Sequence, residues 1–208
     1  MKKIYLIRHS TPFVSIDNYE DYENVSWNDY NRNMILSVEG ERNAEKLCEV
    51  EELKDVDIVY SSDSFRAIGT AKYICELNNL TLNLDDRINE RNLGVSKINE
   101  LPSNFTSNSF KDKDYKYMNG ESLNEVDCRF QSFINEILDS DYNGIVIVFH
   151  GIILLSYLQK ICDYFSFDEN SFFIKYKDNI VLNGKLKNPD VFKLTFDDHK
   201  IIISVSRI

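Results

Sequence analysis

Short β-prone apolar runs alternate with segments of helical period along most of this 208-residue chain. The strongest apolar run is 145–149, and shorter ones lie at 4–7 and 57–60. Strands that alternate with helices form βαβ units, and these build a largely parallel sheet with both faces covered. We therefore predict an α/β fold: a three-layer α/β/α architecture with a mostly parallel central sheet.

Capping residues and apolar spacing locate the helices and the remaining strands. Ser37 and the pair Ser122 and Glu125 have the types and spacing of helix N-caps, the pair forming a capping box. The predicted helices are 39–50, 65–75, 123–137 and 152–162, a third strand is 80–84, and the tail 191–205 is a hairpin.

Two long stretches, 12–36 and 86–120, show no clean period and are rich in Asn, Asp and Ser. Aperiodic stretches of this length inside a compact domain are usually functional or mobile. We predict a single domain over residues 1–208, in which the segments 12–36 and 95–120 form a cap or lid over the site.

The charge balance narrows the range of partners. Asp and Glu number 34 against 24 Lys and Arg, giving a net charge of −10, which disfavours a nucleic-acid surface or an anionic membrane. The longest apolar stretch, 145–155, is too short to span a bilayer, and the cysteines lack metal-ligand spacing. We expect a cytoplasmic protein with a small-molecule partner and no metal or cofactor. The oligomeric state stays open, with a homodimer as one option.

Two histidines occupy the same kind of position. His9 follows the first strand, and His150 follows the strongest strand, with Gly151 next. Sites in open α/β sheets form outside the carboxyl ends of strands. If the two strands are parallel neighbours, both histidines and Arg8 share one crevice. Arg66, in the first turn of the helix after the second strand, reaches the same edge.

Two guanidinium groups and two imidazole rings suit a compact dianion. Arginine presents planar paired donors that match phosphate oxygens, and the N–H groups at the helix start after Gly151 add more. A neutral imidazole can attack phosphorus, and the arginine charges favour the neutral form of His9. The departing alkoxide needs a proton, for which a carboxyl group is the natural donor.

Seven short motifs, spread from residue 4 to about residue 180, resemble in their order those of the histidine phosphatase superfamily, also called phosphoglycerate-mutase-like. The motifs are Leu6–Ser10, Leu36–Gly40 with Ala44, Ser61–Ala71, Arg87–Glu90 with Gly94, Gly120–Val126, Val148–Gly151 and Asp178–Ile180. Two positions depart from the family pattern: Ser10 stands where Gly is commonest, and Ser15 stands where Asn is frequent.

The resemblance implies a phosphoglycerate-mutase-like fold and a set of site residues. They are His9 as the nucleophile, Glu90 as the acid and later the base, His150 beside the phosphoryl group, and Arg8, Arg66, Gly151, Thr11 and Ser15 as substrate-binding residues. From the residues alone, Glu100 and Glu121 remain alternatives for the acid.

These observations favour a phosphatase that hydrolyses a small-molecule phosphate monoester through a phosphohistidine, without a metal ion. One alternative is a phosphoglycerate mutase-type phosphotransferase, which is disfavoured because the segment between Glu90 and His150 is short. Another is a non-catalytic protein that binds phosphorylated ligands, which the presence of every core residue disfavours.

Overall fold

The computed structural model describes residues 1–13 and 25–208. The strands are β1 Lys2–Arg8, β2 Ile58–Ser61, β3 Leu82–Leu84, β4 Gly144–Phe149, β5 Tyr164–Asp168, β6 Ser171–Tyr176, β7 Asn179–Gly184, β8 Asp190–Phe196 and β9 Ile202–Arg207. The α-helices are α1 Trp27–Asn33, α2 Val38–Glu45, α3 Phe65–Asn78, α4 Phe105–Lys111, α5 Leu123–Asp139 and α6 Gly151–Ile161.

The central sheet has six strands in the order β3-β2-β4-β1-β8-β9. The first four are mutually parallel, and β8 and β9 extend the sheet as the antiparallel hairpin predicted for the tail. The strands that precede His9 and His150 are therefore parallel neighbours, with Arg8 opposite Phe149. Their carboxyl ends meet at one edge of the sheet.

The two faces of the sheet bury alternate residues of the same strands. Ile4 and Leu6 of β1 pack into a core with α5 and α6, whereas Tyr5 and Ile7 pack into a second core with α3. This alternation follows from the two-residue period of a strand, and it makes the three-layer arrangement. The predicted fold class is confirmed.

Helix boundaries follow their capping residues. The Ser37 side chain accepts from the Gly40 N–H and begins α2, and Ser122 and Glu125 form the predicted capping box of α5. The helix predicted over 39–50 is shorter, because it ends at Glu45 and continues as a 3-10 turn over Lys46–Glu49. The strand predicted over 80–84 narrows to β3.

A separate three-stranded antiparallel sheet, in the order β5-β6-β7, follows α6 and was not predicted. It packs against α4 through ring contacts, since Phe110 lies 5.4 Å from Phe167 and 6.1 Å from Phe172, centroid to centroid. The aperiodic stretches also contain structure, because α1 lies within 12–36 and α4 within 86–120. The stretches predicted to form a cap thus contain helices, and aromatic packing joins α4 to the late sheet.

In the described part of the chain, no helix combines the length and apolar character needed to cross a bilayer.

Candidate active site

His9 and His150 lie side by side at the carboxyl edge of the sheet. The His9 N–H donates to the Phe149 carbonyl oxygen over 2.9 Å, which extends the pairing of β1 with β4 past their ends. The two imidazole rings are 5.3 Å apart, centroid to centroid, in an edge-on arrangement. Both are buried, His9 to 6% and His150 to 0% exposure. The convergence predicted from the two strand ends is therefore observed.

The hydrogen bonds of His9 define which ring nitrogen is free to react. Nδ1 lies 2.7 Å from the Ser10 carbonyl oxygen, which can only accept, so Nδ1 carries the proton. Nε2 accepts from Nε of Arg66 over 3.0 Å. Nε2 is thus the ring nitrogen without a proton, and its lone pair, the one that an imidazole nucleophile uses, points at the Arg66 guanidinium.

Arg66 joins the two histidines. Besides its bond to His9, its Nη2 donates to Nδ1 of His150 over 3.1 Å, and its Nη1 donates to the Asn31 carbonyl oxygen of α1. The residue is only 2% exposed in the first turn of α3. A cation at a helix N-terminus is repelled by the positive end of the helix dipole, and its burial costs solvation as well. A nearby anion would compensate for both of these costs. The geometry therefore suits a phosphoryl dianion at this guanidinium.

Glu90 completes the cluster as a carboxyl group. Its Oε2 lies 3.3 Å from Nδ1 of His150 and 3.9 Å from Nη2 of Arg66. Since Nδ1 of His150 accepts from Arg66, its Nε2 carries the proton and donates to Ser62 Oγ over 2.9 Å. A neutral Glu90 fits beside that Nδ1 lone pair. Burial raises the pKa of Glu90 against the opposing pull of Arg66, which favours this protonated state.

Arg8 contributes a second guanidinium, one N–H group of which has no hydrogen-bond partner among the described residues. Its Nη1 donates to the carbonyl oxygens of Leu186 and Lys187 over 3.1 and 3.2 Å. Its buried Nε has no hydrogen-bond partner among the described residues. Gly151 makes room for it, because a Cβ there would lie 2.9 Å from that Nε. An unsatisfied buried donor is costly, and a ligand oxygen would satisfy it.

Three hydrogen bonds and one close backbone approach fix the loop that carries His9. The Ser10 N–H donates to Thr70 Oγ1, and the Ser10 hydroxyl donates to the Gly40 carbonyl oxygen over 2.7 Å. A Cβ at Gly40 would lie 2.0 Å from the Thr11 carbonyl oxygen, so only glycine allows this approach. Asn188 donates to the His9 carbonyl oxygen over 2.9 Å. Ser10 is therefore accommodated where the family pattern has Gly, by a hydrogen bond that Gly cannot make.

The structure separates Glu90 from the two other candidate carboxylates. Glu90 lines the cavity beside His9, which has a volume of about 260 Å³. Glu121 forms an ion pair with Arg129 over 2.8 Å, and Glu100 accepts from the Ser96 N–H over 3.1 Å. Neither lines the cavity beside His9. Of the three, Glu90 alone contacts the histidine and arginine cluster among the described residues.

Two predicted binding residues stand apart from the cluster. The Thr11 hydroxyl donates to the Asn188 carbonyl oxygen over 3.3 Å, and Thr11 is not among the residues that line the cavity beside His9. Ser15 lies outside the described residues. Their binding roles stay predictions, whereas Gly151 does line the cavity.

Sequence reasoning missed three groups that hold the site. Ser62 bonds His150, the Asn31 carbonyl oxygen accepts from Arg66, and Asn188 bonds the loop of His9. Ser62 was detectable, because it directly follows β2, whose carboxyl end lies at the same sheet edge as both histidines. A backbone carbonyl such as that of Asn31 leaves no residue-type signal, and Asn188 lies in a segment without periodicity.

Burial of His9 predicts a specific loss of stability in acid. Burial, the Arg66 charge and the Arg8 charge lower the pKa of His9 from 6.5 to about 3. Below pH 6.5 His9 binds a proton in the unfolded chain but stays neutral in the folded chain, so the free energy of unfolding falls as the pH falls toward 3. For this group the free energy of unfolding falls by up to about 1.4 kcal/mol per pH unit.

We expect the free energy of unfolding to fall by about 2 kcal/mol more in the wild type than in His9→Gln between pH 7 and pH 5. Urea denaturation at both pH values measures this difference. Parallel pH dependence of the two proteins would contradict the neutral, buried state of His9.

In the described ranges, no three His, Cys, Asp or Glu side chains cluster closely enough to hold a metal ion.

Comparison with known protein sequences identifies relatives over most of the chain. Residues 4–178 match the family model described as the histidine phosphatase superfamily (branch 1). Phosphoserine phosphatase 1 of Hydrogenobacter thermophilus is 26% identical over 160 residues, which are 71% of this chain and 70% of that protein.

Solved structures share the fold at low sequence identity. A mycobacterial glucosyl-3-phosphoglycerate phosphatase in complex with VO3 superimposes with a TM-score of 0.69 at 19% identity, covering 100% of this chain and 97% of that chain. A mutant phosphoserine phosphatase of Entamoeba histolytica in complex with phosphoserine gives 0.65 at 17% identity, covering 99% and 97%.

Proposed function

The chain belongs to the histidine phosphatase superfamily and is a phosphatase; we propose that it hydrolyses small-molecule phosphate monoesters through a phosphoryl group carried on His9. The observation that carries the proposal is the guanidinium of Arg66, which bonds Nε2 of His9 and Nδ1 of His150 at once. A phosphoryl group held there meets a neutral nucleophilic nitrogen and a fixed cation together.

In the first step, the Nε2 lone pair of His9 forms the N–P bond while the ester P–O bond breaks. The proton stays on Nδ1 and keeps its hydrogen bond to the Ser10 carbonyl oxygen, so the ring becomes a phosphorylated imidazolium whose charge the bound phosphoryl group offsets. The departing oxygen takes the proton of Glu90, which its raised pKa keeps available. The leaving alcohol departs neutral.

In the second step, the Glu90 carboxylate removes a proton from water, and the hydroxide attacks phosphorus. The N–P bond breaks, the electron pair returns to Nε2 of His9, and inorganic phosphate leaves. Glu90 is thereby reprotonated and ready for the next ester, as microscopic reversibility requires of a single acid and base.

Arg8, Arg66 and His150 bind the phosphoryl oxygens in this proposal. The donors are the unpaired Nε of Arg8 and the guanidinium N–H groups of Arg66 beside His9. Nδ1 of His150 can donate to a phosphoryl oxygen only after it takes a proton, and burial with the Arg66 charge lowers the pKa of His150 well below 6.5. A bound dianion would oppose that shift and favour the donating form.

The cap predicted from the irregular segments fits this proposal. Trp27 of α1 and Phe105 of α4, with Leu93 and Leu101 between them, line a second cavity that includes Glu90. A cover over Glu90 would exclude bulk water from the first step. We propose that α1, α4 and the residues between 91 and 104 are that cover.

The relatives are named as phosphatases of phosphoserine and of glucosyl-3-phosphoglycerate. These names support a small phosphorylated metabolite as the partner of this chain as well. The net charge of −10 supports the absence of nucleic-acid and membrane partners. A cytoplasmic location remains part of the proposal, and the oligomeric state stays open, with a homodimer as one option.

Trapping the phosphoenzyme tests the proposal directly. The wild type, quenched in alkali during turnover of a ³²P-labelled ester, should carry base-stable, acid-labile label on the peptide containing His9. His9→Gln should carry none, while His199→Gln, in an exposed turn of the β8–β9 hairpin, should label like the wild type. Label on a different residue, or turnover without any label, would refute a phosphohistidine intermediate.

A further inference from the structure

Two compartments of the active-site cavity meet at Glu90. The phosphoryl compartment, about 260 Å³, contains Arg8 and His9. The apolar compartment, about 200 Å³, is lined chiefly by Trp27, Leu93, Ile98, Leu101 and Phe105. Both include Glu90, Thr106, Phe110 and Ile152 in their walls. The acid therefore stands at the boundary between them.

The chemistry of the proposed function places the leaving group at that boundary. In-line attack by His9 puts the departing oxygen on the far side of phosphorus, and Glu90 must reach that oxygen to protonate it. From Glu90, the apolar compartment continues away from Arg8 and His9, which do not line it. The alcohol portion of the ester thus extends toward Trp27 and Phe105.

The apolar compartment offers a leaving group no free cation among the described residues that line it. Arg91 is its one cationic residue, and each guanidinium nitrogen already donates: to the Glu121 carbonyl oxygen over 2.7 Å, to Ser109 Oγ over 2.9 Å and to the Tyr115 carbonyl oxygen over 3.1 Å. Its Cζ also lies 4.7 Å from the centre of the Phe105 ring. Arg91 holds α4 and the 115–121 segment together.

The segment outside the described part supplies no further cation. Residues 14–24 contain no Lys or Arg and four acidic residues. Lys185 is the one cation besides Arg8 among the described residues that line the phosphoryl compartment, and it is exposed, as is Glu169 in the same wall. A carboxylate on the leaving group would meet Glu90 and a largely apolar wall, in which every nitrogen of the one cation, Arg91, already donates to a protein acceptor, and this is unfavourable.

We propose that the preferred substrates are phosphate monoesters of uncharged, largely apolar alcohols, whose leaving group occupies the apolar compartment. Cavities of about 150 Å³ lined by Leu, Ile and Phe hold a benzene ring, so about 200 Å³ admits one ring or a short alkyl chain. The inference rests on the proposed function, and it separates this chain from a phosphatase for amino-acid phosphates.

A matched pair of esters tests it. Benzyl phosphate and 4-carboxybenzyl phosphate share a ring and a similar leaving alkoxide and differ by one carboxylate. We expect kcat/KM to be about 100-fold higher for benzyl phosphate, with O-phospho-L-serine also below benzyl phosphate. Equal or higher kcat/KM for either carboxylate-bearing ester would overturn the inference while a phosphohistidine on His9 still forms. Failure of every ester together with absent label on His9 would refute the proposed function as well.

Lysine substitutions inside and outside the apolar compartment test where the leaving group lies. Ile98 is 36% exposed and Ile203, on β9, is 38% exposed, so lysine at either position keeps its amine in solvent. Ile98→Lys should narrow the preference for benzyl over 4-carboxybenzyl phosphate by about 10-fold, and Ile203→Lys should leave it unchanged. An unchanged preference in Ile98→Lys, or an equal change in Ile203→Lys, would show that the leaving group does not lie in the apolar compartment.

Discussion

Replacing Arg66 with methionine is expected to lower kcat/KM for phosphate monoesters by about 10³-fold, equivalent to about 4 kcal/mol of transition-state stabilisation. The guanidinium is the shared donor of both histidines, at 3.0 Å from Nε2 of His9 and 3.1 Å from Nδ1 of His150. Its loss removes the cation at the phosphoryl group and the contact that orients the attacking ring.

The Arg66→Lys variant separates the effect of the positive charge at this position from the effect of the planar guanidinium shape. A lysine keeps one positive charge but lacks the planar fork that reaches two histidines and a carbonyl oxygen together. We expect its kcat/KM to lie between those of the wild type and Arg66→Met. Steady-state kinetics with 4-nitrophenyl phosphate measure both variants, and circular dichroism confirms that they fold.

Arg42→Met is the matched control, because Arg42 is an exposed arginine on α2. Its kinetics should equal those of the wild type. A folded Arg66→Met with near-normal kcat/KM would mean that the phosphoryl group binds elsewhere.

Glu90→Gln is expected to lower kcat/KM by about 10²- to 10⁴-fold for esters of alkyl alcohols, whose oxygen must be protonated as it leaves. With 4-nitrophenyl phosphate the loss should be much smaller, because nitrophenolate is stable without a proton. Glutamine keeps the size of the side chain and removes only its proton donor. The ratio of the two losses therefore isolates proton donation from binding.

The pH profile provides a second readout for Glu90. Since burial raises the pKa of this carboxyl, its acidic form persists to higher pH, and kcat/KM for alkyl esters should fall as the pH rises through that value. Glu90→Gln should lack this alkaline fall. Glu100→Gln, at a carboxylate that accepts from the Ser96 N–H, should keep the wild-type profile. Equal losses for alkyl and nitrophenyl esters would contradict the role of Glu90 as the acid.

The parallel sheet and the positions of both histidines at its edge were predictable, because buried parallel strands have continuous apolar sequences. The run 145–149 and the run 4–7 became β4 and β1, and their order in the sheet brought His9 and His150 together. Arg66 was predictable from its place in the first turn of α3. In each case a local pattern determined the position of a side chain at the sheet edge.

The late sheet had a signal of a different kind. Phe172, Ile174 and Tyr176 are buried while their neighbours along β6 are more exposed, a period of two typical of a strand. Glu169 and Lys177, in the turns on either side, have positive φ angles of 50° and 53°. Reading this alternation would have predicted the antiparallel sheet.

The hydrogen bonds that hold Arg66 and His9 in place were not predictable from local sequence patterns. Asn31 accepts from Arg66 through its carbonyl oxygen, and Asn188 holds His9 from 179 residues away. Neither contact is encoded by the spacing of residue types, because both arise when segments distant in sequence pack together. The apolar compartment is likewise assembled from α1, α4 and the residues between 91 and 104.

The bond from Asn188 to His9 has a consequence for how the site assembles during folding. Arg8 ends β1 and His9 follows it, whereas the Asn188 side chain and the Leu186 and Lys187 carbonyl oxygens that hold these two residues lie between β7 and β8. A partly folded chain in which the segment between β7 and β8 has not docked has every motif around His9 but none of these anchors. The geometry at His9 is therefore complete only after β8 has joined the central sheet beside β1.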